Sequence, residues 1–165
     1  MKQITLLILI CFALGCSEEN RKHVGDIPFD STIDDGNFKA CNESNIRQYY
    51  VRYSSDTPPT YQGEKRALEQ FILKHYDFPI TDTENGYVTI RFIVNCKGET
   101  GRFRIEEMDF NYQPNSFDKT ITDQLLNIVK DLEDWIPRKR RDQNLDFYQY
   151  LTFKIEKGQI TKILP

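Results

Sequence analysis

The sequence predicts an α+β fold: a small antiparallel β-sheet of three to four strands packed on two helices. Three observations lead there. Apolar residues recur at helical spacing in Ala67, Leu68, Phe71 and Ile72, and again in Phe117, Ile121, Leu125, Ile128, Val129 and Leu132. They alternate with polar residues through Val88–Val94, at Phe103 and Ile105, and through Phe147–Ile155. Short turns at Gly98 and Gly158 join neighbouring alternating runs, which makes those runs antiparallel. The chain has 165 residues, the length of one domain, and a formal charge of −3 from 22 basic and 25 acidic side chains. That near balance gives no overall attraction to nucleic acid or to an anionic membrane. A 39% hydrophobic content excludes wholesale disorder.

The first element is a leader. Lys2 precedes an apolar run from Ile4 to Leu14, broken only by Thr5. The run is shorter than the roughly 20 apolar residues that cross a bilayer, and has the size of a signal-peptide apolar region. It ends Ala13-Leu14-Gly15-Cys16, which resembles the lipobox of bacterial lipoproteins. The resemblance implies cleavage after residue 15 and a mature chain that starts at Cys16. The Cys16 sulfur would carry diacylglycerol, and acyl chains such as palmitate would hold the protein in a membrane. A plain signal peptide is the alternative. Ser17-Glu18-Glu19 then reads either as a hydrated spacer or as the surface-export tag of some diderm lipoproteins. The expected location is the cell envelope, at the outer membrane, facing the periplasm or the exterior.

Residues 16–37 are polar, contain Gly25, Pro28 and Gly36, and read as a tether. Residues 38–60 read as a short ordered prelude, in which Asn42 caps a helical turn that aligns Ile46, Tyr49, Tyr50 and Tyr53. Residues 61–165 hold the domain. Gly63-Glu64 opens its first helix and Pro79 stops it, with Lys74 and His75 suiting the negative end of the helix dipole. A strand over Gly86–Val94 turns at Asn95–Glu99. The return strand points Phe103 and Ile105 inward and Arg102 and Arg104 outward, and at Glu106-Glu107 the alternation slips to Met108 and Phe110, so a bulge is expected there. Asn115, Ser116 or Asp118 caps the second helix, which ends at Trp135-Ile136-Pro137. After a basic loop, Arg138–Arg141, a long strand holds Leu145, Phe147, Leu151, Phe153 and Ile155 on one face. Tyr148, Tyr150, Thr152 and Lys154 lie on its other face, and a last short strand carries Ile160 and Lys162.

Tyr61-Gln62-Gly63-Glu64, Gly86–Asn95, Lys97-Gly98-Glu99 and Trp135-Ile136-Pro137 stand in an order and spacing that resemble the C-terminal domain of TonB, over about residues 61–157. The resemblance implies the fold above and a module that recruits a short strand from an outer-membrane receptor by β-augmentation. The edge implied is the strand 145–156. This chain has a lipobox in place of a transmembrane helix and lacks a Pro-rich rod, so energy transduction is not expected.

Cysteine usage fits export. With Cys11 in the leader and Cys16 lipidated, Cys41 and Cys96 remain, and an oxidising compartment favours their disulfide. Free buried thiols are the alternative. The sequence holds no nucleophile motif, Walker motif or zinc-binding spacing. No enzyme activity, cofactor, metal, nucleic acid or small-molecule substrate is therefore expected. Glu106, Glu107 and Asp109 read as a solvated face. Tyr148 and Tyr150 are the candidate contact residues, with Arg138 and Arg140 from the basic loop beside them. The expected function is a non-enzymatic envelope lipoprotein whose TonB-like domain binds an outer-membrane receptor or another envelope protein through a sheet edge or face. The alternative is a structural or stress-related lipoprotein without strand pairing.

Overall fold

A computed structural model describes residues 25–48, 60–77 and 83–165. The leader, Cys16, His23, Tyr49, Tyr50, Tyr53 and Pro79 lie outside the described residues. The elements are β1 (Arg47–Gln48), α1 (Glu64–His75), β2 (Gly86–Val94), β3 (Thr100–Met108), α2 (Lys119–Lys130), β4 (Arg138–Arg140), β5 (Gln143–Leu145), β6 (Phe147–Glu156) and β7 (Gln159–Leu164). This is the expected α+β arrangement. Among the described residues no helix is long and apolar enough to cross a membrane.

The sheet is centred on β2 and β6, paired antiparallel from Gly86↔Ile155 to Val94↔Phe147. β3 flanks β2. Because β2 occupies the whole of one edge of β6, two strands share the other. β7 pairs antiparallel with Thr152–Glu156, and β1 pairs parallel with Phe147 and Tyr148. β4 and β5 form a separate hairpin.

The inner face is the expected one. Val88, Ile90, Phe92 and Val94 of β2 meet Phe147, Leu151, Phe153 and Ile155 of β6 under the apolar stripe of α2. Leu68 and Ile72 of α1 close the same core. Asp118 caps α2, its carboxylate accepting from the Thr120 N–H at 2.7 Å. Glu107 points to this side and accepts from the Phe117 N–H at 2.6 Å, so it fixes the approach to α2. It does not belong to a solvated face.

Four local readings change. Asn42 caps no helix: residues 43–45 form a single 3-10 turn and the chain then extends into β1, where pairing with β6 outweighs local helical spacing. The bulge lies earlier than Glu106-Glu107. Register shifts opposite Phe92, at Arg102, whose φ is +56°. The basic stretch is no loop, because Arg138–Arg140 pairs with Gln143–Leu145 across a turn at Arg141 and Asp142. Finally, Asp146 interrupts the long strand before Phe147. Its buried carboxylate accepts from the Asn42 N–H at 2.6 Å and the Cys96 N–H at 2.7 Å.

Candidate functional site

The face of the sheet turned away from the helices is divided in two. Residues 25–38, the second part of the expected tether, lie as a strap over one half. Three outward arginines hold the strap. Arg91 donates to the Gly25 carbonyl, and Arg104 donates to the Pro28 carbonyl and, through both terminal nitrogens, to Asp34 at 2.7 and 2.8 Å. Arg102 pairs with Glu43 and lies 5.5 Å from the Phe29 ring centre. Ile27 is 2% exposed and the outward Ile93 is fully buried. Phe38 packs where a Cβ on Gly101 would stand, so only glycine fits there. The disulfide Cys41–Cys96 then ties the strap's far end to the β2–β3 turn.

The Arg104 guanidinium holds the Asp34 carboxyl below the usual carboxylate range through its two hydrogen bonds. A lowered folded value stabilises the strap above the unfolded carboxylate pKa of about 4. The contribution fades as pH falls through the lower folded value. We expect strap amides to lose hydrogen-exchange protection below about pH 4 in the wild type. Arg104→Gln should leave them weakly protected at every pH.

Among the described residues the strap leaves the other half of the face uncovered. Register places Tyr150 beside Arg91, Thr152 beside Thr89 and Lys154 beside Tyr87. The Thr89 and Thr152 hydroxyls are 2.9 Å apart. Beyond them the Tyr87 ring stacks on Tyr112, with centres 5.6 Å apart and planes 3° from parallel, and meets Phe110 edge-on at 5.5 Å. Lys154 stands 5.3 Å over the Phe110 ring and pairs with Glu156. Tyr112 is 70% exposed, Tyr150 44% and Phe110 41%. Partial burial, and then the hydrogen bond with Tyr112, raise the Tyr87 hydroxyl pKa. Chemically, this is an aromatic surface with two threonine hydroxyls and two cations, Arg91 and Lys154, each paired with a carboxylate.

The four residues nominated from sequence therefore separate. Tyr150 lies on the open half. Tyr148, on the same face, lies at the strap, where burial and then the Asp26 carboxylate raise its pKa. Arg138 and Arg140 are off the sheet, in the β4–β5 hairpin. Cys41 and Cys96 are joined as expected. With Asp146 they are the one group among the described residues whose atoms lie close enough to hold a metal ion, but both sulfurs are used in the disulfide. Tyr112 has no alternating pattern to mark it, and Phe110, which the alternation places with Met108 on the return strand, sits in the loop after β3. The edge of β6 implied by the resemblance is taken by β7 and β1. The outer edge of β3 has no strand neighbour among the described residues, and a groove of about 700 Å³ runs beside it between Ile33, Phe38, Leu126 and Lys130. No family model matches the chain, and neither does any curated protein or solved structure.

Proposed function

We propose that the chain is a non-enzymatic cell-envelope lipoprotein, anchored through Cys16 in the outer membrane, whose TonB-like domain binds an envelope protein through the open half of its outer face. The observation behind this reading is the cluster of Tyr87, Phe110, Tyr112 and Tyr150, left open where the strap stops. Clustered exposed aromatics are the groups most enriched at protein contacts, since each gives a large, rigid contact area. Truncating a central aromatic anchor typically costs about 2 kcal/mol or more of binding.

The test is photo-crosslinking in intact envelopes, from a photoreactive phenylalanine placed at Thr89 between the aromatic groups. The expected result is a discrete adduct with an envelope protein, reduced at least about tenfold by Tyr112→Ala with Tyr150→Ala. An adduct equally abundant in the double variant would overturn the reading.

One observation favours the alternative. With β7 on Thr152–Glu156 and β1 on Phe147–Tyr148, the edge of β6 is not open to a receptor strand. A structural or stress-related lipoprotein without strand pairing would have this arrangement. It would give no adduct from position 89 in either background.

A further inference from the structure

We propose that one pole of the domain, formed by Lys97 and the β4–β5 hairpin, is a docking surface for an anionic phospholipid bilayer. Lys97, Lys139, Arg140 and Arg141 are all exposed. None of the four takes part in an ion pair among the described residues. Lys65, Arg91, Arg102, Arg104 and Lys154 each have a carboxylate partner. These four exposed cations lie on two adjoining turns.

Those turns are held against each other. Gly98 packs against the Trp135 carbonyl and Pro137, immediately before β4. Asn144 of β5 donates to the Cys96 carbonyl at 2.9 Å. The hairpin reverses at Arg141 and Asp142, with φ of +46° and +65°, the tight turn that a two-residue connection requires. The charges therefore sit on ordered backbone. With Arg138 the pole has five basic side chains, and its exposed acids are Glu99 and Asp142. Glu99 is hydrogen-bonded to the Asn95 amide at 2.6 Å. With the buried Asp146 counted, the pole carries +2 on a chain whose total is −3, which leaves −5 elsewhere. Such a dipolar distribution turns one end toward a negative surface while the rest is repelled.

A bilayer fits better than a discrete anion. The charges are spread over two separate turns. A plane of anionic headgroups meets all of them at once, and each Lys or Arg at such a surface contributes about a fivefold gain in partitioning. The strap leads to this pole, running from Gly25 to Cys41 and Cys96. Gly25 lies nine positions after Cys16, a reach of at most about 30 Å. The biological setting rests on the anchored reading above, but the surface chemistry does not depend on acylation.

The test measures partitioning of the full chain onto phosphatidylcholine vesicles and onto vesicles with about 30% phosphatidylglycerol, chosen to give the surface negative charge. The leader carries Lys2 and the amino terminus, so the pole's share is read from the change in the ratio of the two between wild type and variant. The expected ratio is at least about tenfold at 0.05 M salt, falling toward one at about 0.5 M. The variant K97Q/K139Q/R140Q/R141Q should lower the ratio at least about fivefold, with its melting temperature unchanged because all four side chains are exposed. K74Q/K162Q, two exposed lysines elsewhere, should keep the wild-type ratio. A wild-type ratio near one, an unchanged ratio in the quadruple variant, or an equal loss in the control would overturn the proposal. So would a quadruple variant that keeps the lipid preference but no longer binds an anionic polysaccharide column. Loss of acylation at Cys16 would leave these ratios intact, so the two readings fail separately.

Discussion

Replacing Cys41 and Cys96 together by serine is expected to lower unfolding stability by about 4 kcal/mol. The bond closes a loop of 55 residues, and chain entropy gives that figure for a crosslink of this span. The native site needs no rearrangement to hold the bond, because Asp146 fixes the backbone beside both cysteines. Its carboxylate takes one N–H from Asn42 and another from Cys96. The strap should suffer most. Without the bond it keeps the Arg91, Arg102 and Arg104 contacts and the packing of Ile27 and Phe38. It loses the covalent tie that keeps those contacts local. Urea denaturation should show a lower midpoint, and limited proteolysis should cut between residues 25 and 48 before the sheet unfolds. A loss below about 1 kcal/mol, with the strap still protected, would show that hydrogen bonding alone suffices.

Phe92→Ala is expected to cost about 3–5 kcal/mol. Phe92 is fully buried at the point where β2, β3 and the segment after α2 meet. Its ring lies 5.3 Å from Phe103 and 5.2 Å from Trp135, and Trp135 packs edge-on against Tyr61 at 5.2 Å. Removing the ring leaves a cavity that the paired backbone of β2 cannot close, because β2 has a strand on each side. Phe110→Ala removes the same ring from a site 41% exposed and should cost less than about 1 kcal/mol. Equal losses in the two variants, measured by urea denaturation, would contradict this account of the core.

The contrast between those phenylalanines shows what could be read from sequence. Phe92 lies in a run with period two, and that period placed it correctly on the inner face. The same logic placed the stripe of α2 and both faces of β6. It also put Arg102 and Arg104 outward, where they hold the strap. The strap itself has no period. Its contacts join residues 66 to 76 positions apart, and its carbonyls are acceptors that any residue would offer. Asp146 was hidden for a related reason: between Leu145 and Phe147 it reads as one more outward strand residue. β1 failed as a helix because a partner strand one hundred residues away decides its conformation. On the candidate surface, Tyr150 follows from alternation. Tyr112 and Phe110 come to Tyr87 only through the turn in which Asp109 accepts the Asn111 and Gln113 N–H groups.

The position of β6 has a consequence for how the molecule forms. The strand that pairs along the whole length of β2, and that β7 and β1 also flank, is the last long one to be made. Until residue 156 has emerged, the inner side of the β2–β3 hairpin has helices to contact but no neighbour to complete it, and β1 has nothing to join. Completion of the sheet is thus postponed until residue 156 has been made. A polypeptide with that property remains open and threadable while it is being synthesised, and closes in a late, cooperative step.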